Sequence, residues 1–71
     1  MAEMNSTYQR VLQYFTWSHL PENLQSVSEP CSRLAYLMVT TTDGTTNPAE
    51  VTVGLRKLLE AKDCFVRAML K

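Results

Sequence analysis

Residues 40 to 50 read TTTDGTTNPAE. Polar β-branched residues give way to Asp43-Gly44, a pair that marks a turn. Asn47 then offers an N-cap, Pro48 suits a first helical position, and Glu50 stands three residues after Asn47 as in a capping box. A helix must start here, and whatever precedes it must end. On both sides the apolar residues recur at threes and fours, the period of a helix packed along one face. A turn over 40–47 between two such segments predicts an antiparallel helical hairpin.

In front of the hairpin, Asn5 or Ser6 can cap a short helix over about 6–16. Its face is Tyr8, Val11, Leu12 and Phe15, spaced i, i+3, i+4, i+7. The connector FTWSHLP, residues 15 to 21, fits neither helical nor strand periodicity, yet it holds the chain's single tryptophan and single histidine. Pro21 suits the first turn of the next helix, where its missing N–H costs nothing. That helix is expected over about 21–39, with Leu20, Leu24, Val27, Cys31, Leu34 and Met38 as a narrow seam. Pro30 interrupts it. It either kinks the helix or opens a separate segment capped by Ser28, and the unbroken phase of the seam favours a kink or short break.

The last helix is expected over about 48–70, with Val51, Leu55, Leu58, Leu59, Phe65, Val66 and Met69 as its apolar stripe. Lys62 falls inside that stripe by spacing. A second stripe carries Arg56 and Glu60, then Asp63 and Arg67, opposite charges at i,i+4. The whole chain, 1–71, reads as one all-α domain. Tyr14, Leu37 and Leu70 find no place in either seam, and such surplus apolar surface predicts a homo-oligomer.

Size points the same way. A chain of 71 residues buries only about 60% of its unfolded surface, which makes a monomer marginal without a staple. Cys31 and Cys64 are too few for a disulfide scaffold and lack the spacing of a zinc site. Both sit among apolar residues and read as buried free thiols. No basic leader, apolar h-region or run of roughly 20 apolar residues occurs, so a soluble, cytoplasmic protein with no membrane partner is expected.

Formal net charge is zero, which argues against coating of nucleic acid. The charge is unevenly placed, however. Residues 51 to 71 hold Arg56, Lys57, Lys62, Arg67 and Lys71 against only Glu60 and Asp63. This basic end could meet a small anion. No Gly-rich phosphate loop, metal motif, nucleophile elbow or triad spacing is present, so no catalytic residue, cofactor or metal is assigned. Lys62 either snorkels from the stripe or points into a shared cavity. Trp17 is either a plug over the hairpin or a flat surface on which a base stacks.

YFTWSHLPENLQSVSEPCSRLA followed by EVTVGLRKLLEAKDCFVRAML resembles, over about residues 14 to 70, the small hairpin-domain proteins of bacteriophages. Those are related to the anti-CBASS and anti-Thoeris sponges, which sequester cyclic-nucleotide immune signals in the host cytoplasm. The resemblance implies a homohexamer that binds cyclic dinucleotides, cyclic trinucleotides or cyclic ADP-ribose isomers between protomers without cleaving them. The sponges carry an aromatic-His-Pro-Pro run after Phe-Thr. Here Phe15, Thr16 and Trp17 match its start, Ser18 is inserted before His19, and Leu20 stands where the first proline would, ahead of Pro21.

The implied ligand-binding set is Trp17, His19 and Pro21 from the connector, with Arg56, Lys57, Lys62 and Arg67 from the last helix. Trp17 would stack on a base, and the basic residues of a neighbouring protomer would neutralise phosphates. Two readings of other classes stand beside this one. The chain could be a purely structural helical oligomer or an accessory to another phage protein, or a small DNA-binding regulator using its last helix.

Overall fold

The computed structural model describes residues 6 to 70. Three helices account for the fold: α1, Ser6–Leu12; α2, Glu22–Thr41; and α3, Pro48–Met69. No strand occurs among the described residues. Asn5, one candidate cap of the first helix, lies outside them, as does Lys71. The first helix is shorter than the expected 6–16, because after Leu12 it tightens into a 3-10 turn, Gln13–Phe15. Such tightening is common at helix ends. Gln13 Nε2 donates 2.8 Å to the Arg10 carbonyl and satisfies one orphan acceptor there.

The hairpin turn is built by its threonines and one glycine. The Thr42 backbone N–H and Oγ1 both donate to the Met38 carbonyl, at 3.0 and 2.6 Å, which closes α2 two residues beyond the expected end. Gly44 takes φ +82°, a left-handed conformation open to glycine at no steric cost. Asn47 is the residue before α3 and Pro48 opens it, yet the capping box does not form: the Asn47 side chain caps nothing. Its backbone N–H instead donates to Thr45 Oγ1, 3.1 Å away. With the turn held this way at φ −130°, ψ 60°, Asn47 contributes position rather than a side-chain bond.

α2 runs unbroken through Pro30. The expected seam, however, is not the buried face. Ser28, Ser32, Ala35 and Val39 are buried, whereas Leu34 and Met38 are exposed and Leu24, Val27 and Cys31 half-buried. The face has turned by about one residue, or roughly 100°. The reason is the third element. α1 and its 3-10 turn pack on both long helices, bringing Tyr8, Val11, Leu12 and Phe15 into one core with Ala35, Val39 and Leu55. Phe15 is wholly buried, and the small side chains of α2 leave room for it. A two-helix seam needs large residues facing each other; a three-element core with a phenylalanine wedge needs small ones.

Ser28 illustrates the cost. Its Oγ is fully buried with no hydrogen-bond partner, a loss of about 1–3 kcal/mol against a solvated hydroxyl. In α3 the stripe is buried only in part: Leu55 is buried and Val51, Leu58 and Leu59 pack against the core, while Phe65 and Met69 are exposed. The thiols also divide, with Cys31 half-buried and Cys64 exposed. Cys64 stands about 200° around the helix from the buried Lys62, so it faces away from the core whatever stands beside it in sequence.

Candidate ligand-binding site

The connector between α1 and α2 is ordered. The Leu20 N–H donates 3.1 Å to the Trp17 carbonyl, closing a turn over Trp17–Leu20. Gln25 Nε2 reaches back from α2 to the carbonyls of Leu20, at 2.8 Å, and Ser18, at 3.2 Å. Pro21 is the residue before α2 rather than its first turn, and its carbonyl accepts from the N–H groups of Leu24 and Gln25, both at 2.9 Å. These bonds hold Trp17 half-buried and outside the core cluster, with His19 and Pro21 exposed. A segment with no regular periodicity is thereby given one shape.

Lys62 is buried, as Leu55 is, whereas Phe65 and Met69 farther along the same stripe are exposed. Its Nζ donates 2.7 Å to the Tyr14 carbonyl, lies 5.8 Å from the centroid of the Phe15 ring, and stands 3.8 Å from Asp63 Oδ1. A cation at the last carbonyls of a helix completes orphan acceptors and meets the negative end of its dipole. Lys62 therefore ties α3 to the start of the connector.

The remaining basic residues part company. Arg67, five residues on, lies toward the same end of α3 and donates 3.3 Å to Cys64 Sγ. Lys57 is exposed and stands about 140° around the helix from Lys62. Arg56 faces the other flank, where α1 meets α3. Neither the Arg56–Glu60 nor the Asp63–Arg67 pair forms among the described residues, and Asp63 stands beside the Lys62 ammonium instead of Arg67. The one i,i+4 pair found there joins Arg33 to Glu29 on α2. Surface pairs of this kind contribute only about 0–1 kcal/mol, too little to hold two long side chains against competition.

Sequence reasoning passed over Arg10 and Tyr14. Both line, with Val11, Gln13, Arg56 and Leu59, a groove of about 280 Å³ between α1 and α3. The signal was available: Arg10 is the only lysine or arginine before Arg33, and it stands i,i+4 from Tyr14. A second groove, about 590 Å³ and mainly apolar, lies between α2 and α3 near the hairpin turn, with Leu34, Met38, Val51 and Leu58 among its walls and Glu50 its only charged residue. No cluster of three or more His, Cys, Asp or Glu able to hold a metal occurs among the described residues. No helix among them is long and apolar enough to cross a membrane. No family model matches the chain, and neither a curated protein nor a solved structure is significantly similar to it.

Proposed function

We propose that this chain is a bacteriophage anti-defence sponge, binding and sequestering host cyclic-nucleotide immune signals without cleaving them. Its ligand is a cyclic dinucleotide, a cyclic trinucleotide or a cyclic ADP-ribose isomer. The observation that carries the reading is the placement of Trp17, outside the core on a connector fastened by Gln25. An aromatic kept out of the core is available to stack on a base, which contributes about 1–3 kcal/mol. His19 on the same turn offers a polar contact, and the exposed Arg67 brings positive charge to the C-terminal end of α3, while Lys62, bonded to the Tyr14 carbonyl, fixes the start of the connector. The basic groups of a second protomer complete the pocket in a homohexamer.

The test is a sequestration assay. Protein is incubated with a panel of these cyclic nucleotides, free ligand is filtered and quantified, and the protein is then heated. One ligand should disappear and return intact. Trp17→Ala should weaken its retention about 5- to 150-fold with the oligomer unchanged. Return of a linear product would make the chain an enzyme, and retention unaffected by Trp17→Ala would move the site elsewhere.

A second reading, a purely structural helical oligomer, draws support from the exposed Leu34, Leu37 and Met38 on α2 and Phe65, Met69 and Leu70 at the end of α3. It requires association with no ligand retained, which the same assay combined with light scattering reads directly. The DNA-binding alternative has less behind it, because Glu60 and Asp63 interleave with Arg56 and Arg67 on one face of α3.

A further inference from the structure

We infer that the groove between α1 and α3 is a second anion site, shaped for one phosphomonoester carrying a single flat ring, such as a nucleoside monophosphate. It draws on residues other than the connector's and does not require the sponge reading.

The argument begins with charge. Arg10 on α1 and Arg56 on α3 line one groove. Neither has a carboxylate within ion-pair distance among the described residues, although Glu60 stands i,i+4 from Arg56. Two guanidinium groups bordering a shared concavity repel each other, and an anion between them turns that repulsion into attraction. Their planar forks match phosphate oxygens in a bidentate manner. The charge also balances: a phosphomonoester dianion meets two fixed cations, whereas a carboxylate would neutralise one.

The rest of the lining sets what the phosphate carries. Val11 is buried and Leu59 half-buried, and they give the groove an apolar floor. Tyr14 is among the lining residues and is 59% exposed, and an exposed tyrosine ring is a surface on which a flat heterocycle can stack. Gln13 has its amide nitrogen engaged by the Arg10 carbonyl, which leaves its oxygen to accept from a ligand N–H or hydroxyl. At about 280 Å³ the groove falls just below the roughly 300–1,000 Å³ of sites for drug-sized ligands. A groove of that size is on the scale of one nucleotide unit.

Amide chemical-shift mapping with adenosine 5′-monophosphate tests this, with adenosine and inorganic phosphate as controls. AMP should bind saturably and shift residues around Arg10, Tyr14 and Arg56. Arg10→Gln and Arg56→Gln, both at exposed positions, should each weaken it about tenfold or more with unchanged helicity. Trp17→Ala should leave AMP binding intact, so that the failure of the connector pocket and the failure of this one are distinguishable. Adenosine binding as well as AMP would overturn the anion assignment. Phosphate matching AMP would overturn the ring assignment. Absence of saturation, or arginine variants that bind normally, would overturn the site altogether.

Discussion

At position 62 a lysine occupies a place that periodicity reserves for a leucine. Its stem runs through the apolar stripe and its ammonium ends on the Tyr14 carbonyl, 2.7 Å away, over the Phe15 ring. Burial of a charge is costly unless hydrogen bonds and counter-charge repay it, and here a helix end and the nearby Asp63 carboxylate do so. Lys62→Met keeps the stem and removes the bond. It should lower stability by about 1–2 kcal/mol, seen as a fall in the urea midpoint at constant slope. An unchanged midpoint would mean that the bond to Tyr14 contributes nothing net. The spacing of 55, 58, 62, 65 and 69 placed Lys62 in the stripe, but its partner is 48 residues away, and nothing local announces such a bond.

Among the elements, the hairpin and its turn were legible and the facing of α2 was not. Asp43-Gly44 and Asn47-Pro48 mark chain reversal through local backbone preference, which depends on a few adjacent residues. The buried row of α2 depends on what packs against it. Leu24, Val27, Cys31, Leu34 and Met38 have the better apolar pattern, yet the α1 wedge selects Ser28, Ser32, Ala35 and Val39. In the same way Trp17 and His19 stood out as misfits, while the Arg10–Arg56 groove arises only from docking α1 on α3. Pro30 lies exposed inside α2 and supplies no N–H to the carbonyl one turn back. Pro30→Ala should stabilise the fold by about 2 kcal/mol, the helix-interior penalty of proline less the greater freedom it allows the unfolded chain. Calorimetry should record a higher melting temperature; a lower one would mean that the native α2 relies on the ring.

As a whole the molecule is long for its mass, 42 × 22 × 17 Å with a radius of gyration of 12.8 Å, where a compact chain of this length has about 11 Å. The hairpin sets the long axis and α1 covers only part of it, which leaves Leu37, Phe65 and Leu70 more than half exposed. The clasp between α1 and the hairpin also imposes an order in time. α2 and α3 are joined by a short turn and can zip from it, whereas the Lys62–Tyr14 bond closes a 48-residue separation whose entropy cost falls due before any reward. The N-terminal segment is therefore expected to be the last to dock and the first to release. Native-state amide exchange should find α1 opening at a lower free energy than α2 and α3, and equal protection would mean that all three fold as one unit. Because Phe15 leaves with that segment, each opening would bare the small-residue face of α2 to whatever chain is nearby, and the rate of such openings, rather than net stability, would set how often a neighbour's first helix could be exchanged for its own.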